Sequence, residues 1–372
     1  MSRTLPLILF LILILSMGLA CNLVVAKASS TGHSQSPVQY DAVNIFSGNI
    51  TSNETQWGGF TDARGIAIGD LYNNGSEEAA ISEGSAGTVT VVKGNGKTTP
   101  VVVNTISGLD DPFGVAIGDL YNDGVNVIAV AEPDASRVTV CYLNGSIKDT
   151  FSYLNQPVGV AIGDFYNNHQ NVIAIAENGS ASVLVLKSDK TIMDNLTGIF
   201  SQPEGVAIGD LTNDGQNELA VADAGTNTVT VLKSDKSIVQ QWPGLGQPVG
   251  VAIGDYENLG LNEIAITETY PAGNVTVYAE NRTVVANWPG RNDPTGVAIG
   301  DFNNDGKNQL VFTEVSTLTV EASNATATVP ELPSFAIIPM LMLLVLIAVM
   351  IRRKRTENVD SSFVTNTQYR QD

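Results

Sequence analysis

Acidic and amide side chains recur in one short loop of this 372-residue chain, with a spacing that could bind a metal ion. Each copy begins with Asp and has Asn at its fourth position, and five of the six have Gly at the sixth. The six copies begin at Asp70, Asp119, Asp164, Asp210, Asp255 and Asp301. Oxygen side chains at positions 1, 3, 5 and 9, with Gly at position 6, suit calcium, which prefers about six to eight oxygen ligands.

The same residues also predict a tight hairpin turn that needs no metal. Asn and Asp bond to nearby backbone and tolerate positive φ, and Gly adopts positive φ freely. His169 replaces the Gly in the third copy. Strand-like rather than helical segments flank each loop, which excludes an EF-hand. The turn and the calcium loop therefore stay as two interpretations of one motif.

A repeated unit must position these loops, because successive copies lie 49, 45, 46, 45 and 46 residues apart. In each unit an apolar run such as 205–208 precedes the loop and a β-branched run follows it. A Val/Thr-rich run such as 227–232 and a weaker run such as 237–242 complete the unit. Four strands in about 40 to 50 residues are typical of a propeller blade. We therefore predict an all-β fold, a single six-bladed β-propeller over residues 40–325.

The two ends of the repeat region are incomplete in complementary ways. Trp57, Trp242 and Trp288 each lie 13 residues before a repeat Asp, so the N-terminal segment matches the end of a blade that lacks its first strands. The last copy lacks a clear fourth strand. A propeller closes when one terminus completes the blade of the other, which removes exposed edges. We expect residues 50–58 to supply the outer strand of the final blade, with 42–46 as an extra or competing strand.

The loop sequence resembles the FG-GAP and VCBS repeats that build integrin-α-like propellers. Their motif is Asp-X-(Asp/Asn)-X-Asp-Gly-X-X-Asp between strands, and residues 300–311 match it closely. The Pro-X-Gly-Val-Ala-Ile run before five of the six loops, with Ala63 in place of Pro in the first, is also similar to NHL and YVTN propeller repeats. The resemblance covers about residues 40–325. It implies a calcium-stabilised propeller that recognises ligands.

Carried over from that family, the calcium ligands fall in three loops. They are Asp210, Thr212, Asp214 and Glu218; Asp301, Asn303, Asp305 and Gln309; and Asp70, Asn74 and Glu78. The first two sets are the best candidates, because Tyr72 is a poor ligand in the third. The remaining three loops depart from the pattern at Val127, Val172 and Leu259.

The two ends of the chain are hydrophobic and predict targeting to a membrane. Residues 1–28 have the pattern of a secretory signal peptide, with a lipoprotein signal ending at Cys21 as the alternative. Residues 29–39 form a polar leader and 326–331 a linker. The apolar run 332–351 is long enough for a transmembrane helix, and the basic cluster at the start of 352–372 predicts a cytoplasmic tail. We therefore expect a single-pass membrane protein with an extracellular propeller.

The charge balance excludes one class of partner. The formal net charge is -19, from 19 basic and 38 acidic residues, which argues against nucleic acid because its phosphates require a basic surface. Cys141 is the only cysteine after the predicted signal, so an intramolecular disulfide is excluded, and we expect it to be a buried apolar residue. The expected partner is an extracellular protein or glycan.

Residue types favour binding over catalysis. A second acid follows each repeat Asp by 13 residues: Glu83, Glu132, Glu177, Asp223, Glu268 and Glu314. Acids around a channel could serve a hydrolase or lactonase, but six equal copies indicate a structural role. His33 and His169 are the only histidines, which leaves no convincing nucleophile and base pair. We predict an adhesion or ligand-recognition module that is not an enzyme, with a structural envelope component as the alternative. Departures of one blade from the repeat would favour a discrete site.

Overall fold

The computed structural model describes residues 59–94 and 100–314 in full, together with the backbone of strands at 44–47, 54–55 and 319–324. Two short strands come first, β1 (Asn44–Ser47) and β2 (Glu54–Thr55). Twenty-three further strands follow in chain order, and one 3₁₀ turn lies at Asn178–Ser180.

Four strands build each of the five repeats between residues 63 and 291, and three build the last. They are β3 (Ala63–Gly69), β4 (Glu78–Glu83), β5 (Thr88–Lys93), β6 (Val101–Ser107); β7 (Val115–Gly118), β8 (Val127–Glu132), β9 (Arg137–Cys141), β10 (Ile147–Ser152); β11 (Pro157–Gly163), β12 (Val172–Glu177), β13 (Ser182–Leu186), β14 (Ile192–Thr197); β15 (Pro203–Gly209), β16 (Glu218–Asp223), β17 (Thr228–Leu232), β18 (Ile238–Pro243); β19 (Pro248–Gly254), β20 (Glu263–Glu268), β21 (Gly273–Tyr278), β22 (Val284–Arg291); and β23 (Pro294–Gly300), β24 (Gln309–Glu314), β25 (Thr319–Asn324).

These strands confirm an all-β propeller and correct the prediction of six blades. Five blades are four-stranded antiparallel sheets of consecutive strands, from β3–β6 to β19–β22. The last repeat does not form such a blade. It contributes β23, β24 and β25 to a five-stranded sheet in the order β2-β1-β25-β24-β23, which both ends of the repeat region share. The propeller therefore has five regular blades, not six, and one composite sheet.

The composite sheet explains where the N-terminal strands go. β1 pairs with β25 in parallel, with Asn44 opposite Glu321, and β2 pairs with β1 antiparallel. The expected outer segment 50–58 thus supplies the outermost strand, but that strand pairs with β1 rather than with a strand of the last repeat. The segment at 44–47 is the extra strand, inserted between them. The outermost strand of a blade must lead the chain to the start of the next inner strand, as the fourth strands do. Of β1 and β2, only β2 runs in that direction, so β2 is outermost.

Apolar clusters join each sheet to the next and close the ring. There are six clusters in the described residues, one at each junction between neighbouring sheets. The cluster at the closing junction contains Ile66 and Ile81 from the first blade and Phe302 and Val311 from the last repeat. Second strands such as β8 are buried along their whole length because sheets cover both of their faces. Cys141 lies in such a cluster, as expected, and burial raises the pKa of its thiol to about 11.

Asparagine side chains form a second set of contacts between neighbouring repeats. The Asn at loop position 4 has positive φ, and its Oδ1 accepts the backbone N–H of position 8 in the next repeat. At the junction of the fifth repeat with the sixth, Asn308 N donates to Asn258 Oδ1 at 2.6 Å, and Asn308 Nδ2 donates to Asp255 O at 2.7 Å. Position 8 is Asn in five repeats: Asn126, Asn171, Asn217, Asn262 and Asn308. We call this pair of contacts the asparagine latch.

The latch at the closing junction differs, because Glu77 occupies position 8 of the first repeat. Asn304 Oδ1 still accepts the Glu77 N–H at 2.6 Å. The carboxylate, however, has no N–H to offer a carbonyl, and Oε2 is buried without a hydrogen-bond partner. Burial raises the pKa of Glu77, the carboxylates of Asp301 and Asp70 raise it further, and a backbone hydrogen bond from Asp301 opposes them. The latch at the closing junction therefore lacks the second hydrogen bond that the side chain at position 8 makes in the other five repeats.

The predicted membrane topology is corrected by the structure. Among the residues that the structure describes, no helix has the length and apolar character to cross a membrane. A single-pass membrane localisation, with the propeller outside the cell and a cytoplasmic tail, is overturned on this finding. The segments predicted as signal peptide (1–28), leader (29–39), linker (326–331), transmembrane helix (332–351) and tail (352–372) lie outside the described residues.

Substituting Glu77→Asn should stabilise the propeller at neutral pH, because it removes a buried carboxylate and restores the latch of the other repeats. A pKa raised in the folded state means that the folded protein binds the proton more tightly than the unfolded chain. Folding stability therefore falls as pH rises from the ordinary carboxyl pKa through the raised one. We expect a gain of about 1 kcal/mol at pH 7, or roughly 2–4 °C in Tm, which shrinks below about pH 4.5.

Thermal unfolding followed by circular dichroism between pH 4 and pH 8 measures this difference. Glu280→Gln is the control, because it removes one negative charge from an exposed side chain and should change Tm little. An equal effect of both variants, or a Glu77→Asn gain that is independent of pH, contradicts the explanation.

Candidate functional site

The face that carries the Asp loops, which we call the aspartate face, contains all the predicted calcium ligands. In every loop the first Asp accepts two backbone N–H groups through its two carboxylate oxygens. In the fourth loop Asp210 accepts the N–H of Asp214 at 3.1 Å and that of Gly215 at 2.9 Å. The same bonds recur in the other five loops. The repeat Asp thus stabilises the hairpin, as the turn interpretation predicts.

The fourth loop brings three carboxylates together. Asp210, Asp214 and Glu218 each place a carboxylate oxygen within 4.8 Å of the others, and this is the one such acidic cluster in the described part of the chain. Glu218 is fully buried at the start of β16. Its Oε2 accepts the N–H of Leu211 at 3.0 Å, and its Oε1 accepts the Thr212 hydroxyl at 3.0 Å. The predicted set Asp210, Thr212, Asp214 and Glu218 is therefore convergent.

A lysine lies beside this cluster. Lys233, at the end of the third strand, places Nζ 2.7 Å from Asp214 Oδ2 and 4.0 Å from Glu218 Oε1. The hydrogen bond from Lys233 lowers the pKa of Asp214. Burial raises the pKa of Glu218, and the charges of Asp214 and Asp210 raise it further against the hydrogen bonds from Thr212. The ammonium group supplies the positive charge that a calcium ion would otherwise supply.

The donor set of the fourth loop fits a calcium ion in kind, since it offers three carboxylates and one hydroxyl. Each donor already has a hydrogen-bond or ion-pair partner, so an ion would have to replace the Lys233 ammonium. The Asp301 loop fits less well. Gln309 Oε1 accepts the Asn303 N–H at 2.8 Å, its amide nitrogen faces Lys307 O, and Asn303 Oδ1 is buried without a partner.

The first loop is the third predicted site. Glu78 Oε2 accepts the Leu71 N–H at 3.1 Å, and its Oε1 lies 3.6 Å from the ammonium of Lys93. Asn74 Oδ1 accepts the N–H of Ser76, which closes the turn after Asp70. In the first and fourth loops, a lysine at the end of the third strand thus lies beside the glutamate at loop position 9.

The second ring of acids lies near the opposite face, where the inner strands begin at Ala63, Pro157, Pro203, Pro248 and Pro294, or shortly after Pro112. We call this the proline face. Each acid accepts a backbone N–H from the segment that precedes the inner strand of its own repeat: Glu83 from Thr61, Glu132 from Asp110, Glu177 from Asn155, Asp223 from Ser201, Glu268 from Gly246 and Glu314 from Asn292. Six equal bonds of this kind hold the strand entrances, which is the structural role that equal recurrence indicates.

At the proline face, the residues that line the central channel differ from one repeat to the next. Each of the six repeats contributes three consecutive residues to the wall of the channel cavity of about 60 Å³, such as Glu204, Gly205 and Val206. The Gly is the middle residue of each set. The six residues before that Gly, one from each sheet in ring order, are Arg64, Phe113, Val158, Glu204, Val249 and Thr295. We call these the mouth residues. Arg64 and Glu204 belong to sheets on opposite sides of the ring.

Two nearby aspartates form ion pairs with Arg64. Its Nη2 lies 2.7 Å from Asp62 Oδ2 and its Nη1 lies 2.9 Å from Asp111 Oδ2. The guanidinium also lies 5.4 Å from the centroid of the Phe113 ring. Hydrogen bonds and charges from Asp62 and Asp111 raise the pKa of Arg64 against the effect of burial. The first and second blades are therefore tied together at the mouth by an ion-pair triad of net charge -1.

Glu204 has a different environment. Its Oε1 accepts Asn178 Nδ2 at 2.8 Å and Gln202 Nε2 at 3.0 Å. Burial raises the pKa of Glu204 to about 7, and the carboxylate of Asp223 adds to the rise while the two amides oppose it. A carboxyl group that changes charge near neutral pH, beside a cavity, is a common feature of binding and catalytic sites.

Sequence reasoning missed the mouth residues and Lys233. Arg64, Phe113 and Glu204 stand out in the sequence, because each places a large or charged residue at the variable position before the Gly. That they line a cavity depends on the ring, which no local pattern reveals. Lys93, Lys187 and Lys233 each follow the second acid by 10 residues, a regularity that could have indicated contact with the loops.

Comparisons with known proteins support the fold alone. No protein-family profile matches the chain. No curated protein matches it either. Among solved structures, "BBS1N in complex with ARL6DN" aligns at 12% identity and a TM-score of 0.52, covering 78% of this chain and 99% of that one. A catalytically inactive virginiamycin B lyase from Staphylococcus aureus with quinupristin aligns at 14% identity and a TM-score of 0.51, covering 77% of this chain and 96% of that one. The FG-GAP or VCBS assignment stays a resemblance of the loops.

Removing the competing ammonium tests the calcium interpretation. Lys233→Met should tighten calcium binding at least about fivefold, because two unit positive charges about 4 Å apart repel by about 1 kcal/mol even in bulk water. The calcium-dependent rise in Tm, recorded by scanning calorimetry from 0.1 to 10 mM calcium, measures the change.

Lys187→Met is the matched control, since it removes a lysine from the same strand position beside the third loop, which lacks acids at positions 5 and 9. Asp214→Asn in the Lys233→Met background should abolish the response. If calcium changes the Tm of no variant, the calcium interpretation is wrong and the loop is a hairpin that Lys233 stabilises.

Proposed function

We propose that this propeller is a ligand-recognition module that binds a protein or glycan at the channel mouth on its proline face. The carrying observation is the inequality of the mouth residues. The first Asp of each loop and the second acid of each repeat have the same role in all six repeats, as a scaffold requires. At the mouth, three of six positions carry an arginine, an aromatic ring and a carboxylate that the repeat does not require.

The chemistry of the mouth supports recognition by polar and apolar contacts together. Phe113 offers a partly exposed ring, and Val158 and Val249 offer aliphatic wall. Glu204 offers a carboxylate across the ring from the Arg64 triad. Binding sites commonly combine such apolar lining with a few fixed polar groups. A protein segment or a sugar substituent could place its tip in the cavity and the rest of its surface on the surrounding loops.

The solved structures with the same fold are consistent with this role and do not decide it. BBS1N was crystallised in complex with ARL6DN, and the inactive lyase was crystallised with quinupristin. At 12% and 14% identity these likenesses extend to the fold. Adhesion is one biological use of such a module, and calcium at the Asp210 loop is a stabilising cofactor in our proposal, in line with the resemblance to integrin-α-like repeats.

The enzyme alternative is a propeller hydrolase or lactonase. It is less well supported, because the second ring of acids is engaged by backbone N–H groups within each repeat. Glu204 is the remaining acid at the channel with a pKa near neutrality. His169 lies on the aspartate face, away from the mouth, so the described residues offer Glu204 no histidine partner.

Binding of the full chain to glycan and protein arrays tests the proposal, with the double variant Phe113→Val/Glu204→Val. Valine is the residue that two other repeats place at the mouth, so the change makes the mouth more uniform without removing the Arg64 triad. We expect saturable binding by the unmodified chain and a loss of at least tenfold in affinity in the variant.

The control is Tyr153→Ser/Ile199→Ser, which removes two exposed apolar side chains from loops of the same face outside the mouth. It should retain binding. Equal binding by the mouth variant would place the site elsewhere. Turnover in an esterase and glycosidase screen, lost in the mouth variant and accompanied by no saturable array binding, would favour the enzyme.

A further inference from the structure

We propose that the channel mouth binds a protonated primary amine at the end of an unbranched alkyl chain, with Glu204 as its counter-charge. This inference rests on the proposed function and names the chemistry that the same site recognises. The amine can belong to a lysine side chain of a partner protein or to a free alkylamine, and the two sources share the group that enters the cavity.

The first step of the argument is the state of the Glu204 carboxylate. Two amide groups, from Asn178 and Gln202, donate to Oε1 and so fix the side chain. No donor among the described residues contacts Oε2. This carboxylate is partly withdrawn from water, which is the condition that raises its pKa, and it therefore gains more than an exposed one from a cation. One charged acceptor is thus fixed and available at the mouth.

The second step is the absence of an internal partner for this charge in the described channel wall. Arg64, the one cation among the mouth residues, has Asp62 and Asp111 on its two sides. Thr295 donates its hydroxyl to Arg64 O at 2.7 Å, so it is also engaged. With Glu204 ionised, the mouth residues and the two aspartates carry a net charge of -2. An entering cation meets an attractive field, and an anion meets a repulsive one.

The third step is the shape and polarity of the cavity. Its volume of about 60 Å³ accommodates a few water molecules, or an ammonium group with its first methylenes. Val158 and Val249 flank Glu204 in ring order, so aliphatic wall lies on both sides of the acceptor. A sugar ring or a folded segment exceeds this volume. The entering group is therefore a narrow chain with a charged end.

The fourth step selects an ammonium over a guanidinium. A guanidinium gains its affinity for carboxylates from a planar fork that uses both oxygens. At Glu204 one oxygen is already occupied by two amides, which leaves a single acceptor. An ammonium group is compact and donates to one oxygen without loss. One carboxylate is also too few ligands for a calcium ion.

Saturation-transfer NMR of the full chain with butylamine at pH 8 tests the inference, because Glu204 is then ionised and the amine is still protonated. We expect a dissociation constant of about 1 mM. Glu204→Gln keeps the shape and the amide contacts and should weaken binding at least tenfold. Asp134→Asn, which removes an exposed carboxylate from the same face, should leave binding unchanged. Butan-1-ol should not bind, and butylguanidinium should bind at least fivefold more weakly than butylamine.

A second arm compares the two sources of the amine. A blocked tripeptide Gly-Lys-Gly that binds more tightly than butylamine identifies a lysine side chain as the source, and weaker binding of the peptide identifies a free amine. Binding of butylamine that Glu204→Gln does not reduce, or no binding of either probe, overturns the inference. If neither probe binds while the double mouth variant loses its array ligand, this inference fails and the proposed function stands.

Discussion

The close approach of neighbouring inner strands at glycine determines the rest of this structure. A Cβ on Gly159 would overlap the carbonyl oxygen of Glu204 in the next blade, and a Cβ on Gly296 would lie 2.6 Å from Arg64 O. The equivalent glycine of every repeat meets the next repeat in the same way. Because backbone meets backbone, the channel is narrow, and the few side chains at its mouth decide what can enter. The unequal mouth residues matter for this reason.

The abundance of acids follows from how the loops are built rather than from the ligand. A carboxylate accepts two N–H groups from a tight turn at once, which Asp210 and its five equivalents do, and the second acids hold the segments before the inner strands. Two structural acids in each of six repeats account for twelve of the 38 acidic residues. The formal charge of -19 thus results in large part from acids that accept hydrogen bonds from backbone N–H groups. Lysines such as Lys233 offset it locally.

Periodicity in the sequence predicted which residues are equivalent, and the structure confirms this for the strands, the Asp loops and the buried Cys141. It could not predict which equivalent residues meet. The asparagine latch joins residues about 50 positions apart, such as Asn258 and Asn308, and each partner alone is an ordinary turn residue. The pairing of β1 with β25 and the place of Glu204 in a channel wall depend on the ring as a whole. The predicted calcium ligands converge in the Asp210 loop, but the lysine beside them comes from another strand and was not predicted.

The parallel pairing of β1 with β25 has a consequence for how the chain is made. Asn44 and Glu321 are separated by 277 positions (321 minus 44), so joining them costs roughly 5 kcal/mol of loop entropy plus a constant if the intervening chain is flexible. Blades that form first remove most of that cost. At about 5–20 residues per second, the ribosome delivers the last repeat on the order of 14–55 s after β1 emerges. During that interval β1 lacks its partner β25, and its length of four residues makes it a poor template for pairing with another chain.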